Sequence, residues 1–132
     1  MGVRWLDEHE VGEIFERVCV AEGCTGQIRD ERQLRLALNR PRNLAASGGR
    51  SLSEIAAAYA WAFTRYNVFS DCQPQASRAI TATFLGLNGA SDELPSEEAA
   101  ELWDSIHQGR VDEQVVAEWI RNRVEPKSRG RA

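Results

Sequence analysis

From Asp7 to Glu22 the apolar residues fall at Val11, Ile14, Phe15 and Val18, with Glu8, Glu10, Glu13 and Arg17 on the rest of the wheel. That spacing predicts an amphipathic helix. Asp7 with Glu10 resembles a capping box at its start, and Glu22-Gly23 is the stop. Asp30 reads as the N-cap of a second helix through Asn39, with Leu34, Ala37 and Leu38 inward and Pro41 as its end. The stretch from Arg40 to Arg50, with Pro41, Asn43, Ser47, Gly48 and Gly49, reads as an irregular loop. Ser51 and Glu54 repeat the capping pattern before Ile55–Phe63, a run apolar on most faces and therefore expected at the centre of a domain.

After a break at Asn67–Gln73, Pro74 fits the first turn of a helix running to Leu87, with Ile80, Phe84 and Leu87 on one face. Asn88-Gly89 closes it. A helical hairpin follows: Ser96 caps a helix through His107, and Asp112 caps one through Arg123 with Val115, Trp119 and Ile120 inward. Tyr59, Trp61, Phe63, Trp5, Trp103 and Trp119 read as packing residues. Strand alternation is nowhere sustained. The expected fold is all-α: one bundle of about six helices around two central ones.

Composition narrows the chemistry. A chain of 132 residues suits one domain. Its net charge of -4 disfavours nucleic acid and membrane surfaces as partners. The segment Arg121–Arg131 reverses that charge locally and reads as a frayed end; residues 124–132 are expected to form a disordered basic tail beyond a domain of residues 1–123. A nucleic-acid adaptor role would have to rest on that tail. Three cysteines, Cys19, Cys24 and Cys72, form neither a disulfide framework nor a CxxC pair, so a zinc site has little support from spacing. The charged N-terminal segment does not fit a signal peptide and no run is long enough to span a membrane, so the cytoplasm is the expected setting.

The break between the central helices carries the most information. Asn67-Val68-Phe69-Ser70-Asp71-Cys72-Gln73-Pro74-Gln75 resembles the active-site loop of the Fic/Doc (Fido) family, which reads His-x-Phe-x-Asp/Asn-Gly-Asn-Lys/Gly-Arg. Phe69 and Asp71 match. Four further segments resemble the family in order: Gly26–Asp30, Leu36–Pro41 with a shift of one, Ile55–Ala60, and Phe84–Gly89. Together they cover roughly Leu6 to Arg123 and point to the Doc (death-on-curing) branch. The resemblance implies a phosphate seated at a helix N-terminus, where free N–H groups and the helix dipole favour anions. It also implies a magnesium ion on the Asp, and a His base that helps transfer AMP or phosphate to a protein hydroxyl.

The departures fall on the chemistry. Asn67 stands where the base would be, and an amide has no useful basicity. Cys72 replaces the glycine and Gln73 the asparagine. Pro74 removes a cation and a backbone N–H, and Gln75 removes the arginine fork. Losing one such contact costs on the order of 10²–10⁴ in rate, and here several are absent together. Arg78, one turn on, has the spacing of a second family arginine and is a candidate anion ligand. Asp71 is a candidate metal ligand or a loop cap, and Cys72 near a helix start is a candidate for a lowered thiol pKa. The two histidines, His9 and His107, lie far along the chain from this loop.

The expectation is a catalytically inactive Doc-like protein, a pseudoenzyme with no cofactor. Its partner would be a protein, such as an antitoxin-like peptide or helix in a toxin–antitoxin-type module. The alternative is an active transferase with an altered motif, using ATP and magnesium.

Overall fold

The computed structural model describes residues 2–124. Those residues form six helices: α1 (Glu8–Glu22), α2 (Glu31–Ala46), α3 (Leu52–Arg65), α4 (Gln73–Leu87), α5 (Ser96–His107) and α6 (Glu113–Arg123). The fold is all-α, as the periodicity predicts. Asp7, Asp30, Ser51 and Asp112 each cap the helix that follows with a side-chain oxygen, and those of Asp7 and Ser51 form full capping boxes with Glu10 and Glu54.

α3 is the hub. Ile55 to Ala60 and Ala62 to Thr64 are buried, and the helix packs against α2, α4, α5 and α6. Its alanines let those neighbours come close, which leaves the backbone carbonyl of Ala60 facing a dry core. One polar cluster meets that need. Ser77 on α4 donates to the Ala60 carbonyl oxygen (2.9 Å) and accepts from the Trp103 indole N–H on α5 (2.9 Å). The Thr64 hydroxyl lies 2.7 Å from the same carbonyl oxygen and 2.8 Å from Ser77 Oγ. Most buried polar groups in folded proteins are partnered in this way.

Several expectations are corrected. α2 does not stop at Pro41 but runs through it to Ala46, so the predicted loop shrinks. A proline inside a helix costs about 3 kcal/mol. Here the proline is buried, and its neighbour Arg40 pairs with Glu113 on α6 while the Arg40 guanidinium sits 4.4 Å from the Trp61 ring centroid. Ser96 opens α5 as its first residue without a side-chain cap bond. Val115 and Leu87 are exposed, at 44% and 42%; Val116, Ala117 and Leu85 take the buried positions. Arg121 and Arg123 belong to α6, Arg123 pairs with Glu98 at 2.8 Å, and Val124 is buried, so the predicted frayed end does not begin there. Residues 125–132 of that tail lie outside the described residues.

Ser77→Ala strands the Trp103 N–H in the core. Urea unfolding is expected to register a loss of about 1–3 kcal/mol. Adding Trp103→Phe to Ser77→Ala should cost less than Trp103→Phe alone, because the orphaned donor is then gone.

Candidate functional site

The turn from Tyr66 to Cys72 joins α3 to α4 and is held from outside by the segment after α1. Arg29 N–H donates to Val68 O (2.7 Å) and Ser70 N–H to Gln27 O (2.9 Å), around a single antiparallel bridge between Ile28 and Phe69. Gln27 N–H donates to Ser70 Oγ (2.9 Å). Phe69 is buried and stacks on Phe15 of α1, with ring centroids 4.3 Å apart. Gly26 fits beneath this junction because it has no side chain: a Cβ there would meet Asp71 Cβ and Phe15 Cζ at 3.0 Å.

The predicted loop residues divide between two sites. Asn67, Phe69, Asp71, Cys72, Gln73 and Pro74 line a cleft of about 500 Å³. Gln75 and Arg78 line a different cavity of about 270 Å³, beside Glu22 and Asp92. Arg78 therefore does not join the turn. Asn67 is exposed. The Gln73 amide is spent on the turn itself: its Oε1 accepts from Phe69 N–H (3.1 Å), and its Nε2 donates to the carbonyls of Thr64 (3.2 Å) and Tyr66. Pro74 sits in the first turn of α4. Asp71 Oδ1 accepts the Cys72 N–H at 2.8 Å, so Asp71 acts as a loop residue, and Cys72 takes the N-cap position without a side-chain cap bond.

Cys72 has φ 54° and ψ 33°, the only positive φ at a non-glycine among the described residues. The left-handed region costs such a residue about 1–2 kcal/mol. Glycine would adopt this backbone conformation freely, so the surrounding contacts hold Cys72 in it.

Sequence distance misleads in two places. His107, at the end of α5, borders the cleft, as do Arg29 and Arg65. α5 packs on α3 and α4, and Arg65 Nη1 donates to the carbonyls of Ile106 (3.3 Å) and His107 (3.1 Å), which draws the end of α5 to the turn. Only the resemblance of Gly26–Asp30 hinted at Arg29; nothing local marked His107. His9 lies away from the cleft and pairs with Glu13 on the surface of α1.

The cysteines also converge. Cys24 Sγ is 3.1 Å from Cys19 Sγ, and the ligand atoms of Cys24, Asp71 and Cys72 all lie within 4.8 Å of one another. All three cysteines are free thiols. The hydrogen bond to Cys24, with burial second, pushes the Cys72 thiol up to about 12, opposite to the lowered value a helix start suggests. Cys24 moves down, because Cys72 and then Cys19 hydrogen-bond to its thiolate. Burial, then the Cys24 contact, raises Cys19.

Comparison with known proteins gives no family model that matches the chain and no match among curated proteins.

Gly26→Ala is expected to destabilise the fold by about 1–3 kcal/mol in urea unfolding, since the new Cβ would meet the buried Phe15 ring and the Cβ and backbone N of Asp71 at 3.0–3.1 Å. Gly12→Ala, inside α1 with open space at its Cβ, should instead stabilise by about 0.5–1 kcal/mol.

Proposed function

We propose that this chain is a non-catalytic relative of the Doc toxins, a pseudoenzyme that works by binding a protein partner such as an antitoxin-like helix. The observation that carries the reading is the chemistry of the turn before α4. Transfer of a nucleotide group needs a base, and the position for it holds the exposed amide of Asn67. It needs N–H donors and cations around the phosphates, and the turn offers a proline at the start of α4. The Gln73 amide is occupied with backbone partners, and Gln75 and Arg78 line another cavity. Meanwhile the scaffold parts remain: the capping boxes, the buried Phe69 and the α3–α4 pair. A scaffold kept while its phosphate contacts are gone supports a binding role.

The placement of His107 favours a second reading. His107 lines the same cleft as Arg29 and Arg65, and those residue types would supply the base and cations that the loop itself lacks. In that reading the chain is a transferase using ATP and magnesium, with Asp71 as metal ligand and His107 as base.

Titration calorimetry separates the two. The non-catalytic reading expects no saturable heat with ATP and magnesium, and micromolar affinity would sink it. Transfer of label from ATP to lysate proteins that disappears in both His107→Ala and Asp71→Ala would establish the transferase. A small antitoxin-like protein from an adjacent reading frame is expected to co-purify with the chain, and its failure to bind would remove the partner assignment.

A further inference from the structure

Four metal-binding side chains from three separate stretches of chain meet beside the α4 N-terminus. Cys19 lies in the last turns of α1, Cys24 follows the Gly23 cap, and Asp71 with Cys72 ends the loop before α4. Donor atoms around a tetrahedral zinc-class ion stand about 3.8 Å apart, given metal–sulfur bonds of about 2.3 Å. Cys24, Asp71 and Cys72 lie within 4.8 Å of one another, and Cys19 Sγ touches Cys24 Sγ at 3.1 Å. Cys19 stands outside that group of three and adjoins it through Cys24, so a shared ion would draw its sulfur inward.

We propose that Cys19, Cys24, Cys72 and Asp71 form a four-coordinate site for a thiophilic divalent cation of the zinc class.

Three features of the structure support it. The first is the backbone. Cys72 holds a left-handed conformation that its side chain disfavours, and that conformation places its sulfur in the cluster. The second is outer support. The Cys72 N–H donates to Asp71 Oδ1, which fixes the carboxylate and leaves Oδ2 to reach a cation. The hydrogen bonds between residues 27–29 and 68–70 hold the two loops in register, and Gly26 packs directly under Asp71. The third is access. The cysteines are half-buried and Asp71 is exposed, so an ion can enter without unfolding the domain.

The donor set also selects the ion. Thiolates exclude magnesium and calcium, which take oxygen ligands. A carboxylate among them favours a borderline ion over copper(I), which prefers sulfur alone. With all four positions filled by protein, the site is structural: it ties the end of α1 to the start of α4. The inference stands on these residues alone and is independent of the Fic/Doc reading.

The full chain, reduced and stripped with chelator, is titrated with cobalt(II). A thiolate-to-cobalt charge-transfer band is expected, saturating at one equivalent and bleached by zinc. Zinc should also raise the melting temperature, because it binds the folded state. Cys24→Ser is expected to abolish the band, and Cys72→Ser, Cys19→Ser and Asp71→Asn to weaken affinity by more than about ten-fold. Far-UV circular dichroism checks that each variant folds. If Cys72→Ser does not, Cys19→Ser and Asp71→Asn carry the test. Absence of the band in folded, reduced protein would falsify the site, as would a band unchanged by Cys72→Ser and Asp71→Asn. A Cys19–Cys24 disulfide in protein isolated without reductant, with no bound metal, would overturn it in favour of redox pairing.

Discussion

The buried hydroxyl of Ser77 is the joint on which the architecture depends. A helix with alanine at five of its fourteen positions lets its neighbours pack closely, but it also exposes their backbones to one another in a place without water. Ser77 answers both demands at one atom, accepting from α5 and donating to α3. Three helices are thereby fixed in one register. The turn between α3 and α4 inherits that register, and so does the cleft beneath it. The position of Phe69, the reach of Gln73 and the approach of α5 all follow from how α3 and α4 are clamped.

That clamp sets the shape of the turn: a left-handed residue at position 72, a buried aromatic anchor at 69 and a helix starting at 73. The amide of Gln73 closes the turn on itself, an economical way to satisfy carbonyls at the end of α3 and one that occupies both of its N–H groups. Outward, the turn presents the Asp71 carboxylate beside the Cys72 sulfur. The same backbone geometry can serve different ligands according to which atoms project from it.

Much of this was legible in the sequence, because local rules dominate in helices. The caps at Asp7, Asp30, Ser51 and Asp112 mark where helices begin, and the unbroken apolar run from Ile55 marks the hub. What failed was every inference that let a local rule overrule tertiary contact. Pro41 should end a helix, yet its burial and the ties of Arg40 to Glu113 and Trp61 hold the helix through it. Val115 fits the apolar stripe of α6, but a rotation of the helix buries Val116 and Ala117 instead. The site was harder still. Spacing can reveal ligands carried on one helix or knuckle, whereas Cys24 and Cys72 are 48 positions apart and meet only through the pairing of two loops. His107 reaches the cleft through the packing of α5, which no window of sequence encodes.

The central position of α3 has a bearing on how the chain is made. During synthesis α3 leaves the ribosome before α4, α5 and α6 exist, and only α2 of its main covering partners precedes it. For that interval a fourteen-residue apolar helix has most of its surface uncovered. Nascent segments of this kind are the ones that aggregate or recruit chaperones. The rate at which α4, α5 and α6 emerge thus becomes part of what determines yield, and the hub that makes the folded domain cohesive makes its partly made form prone to associate.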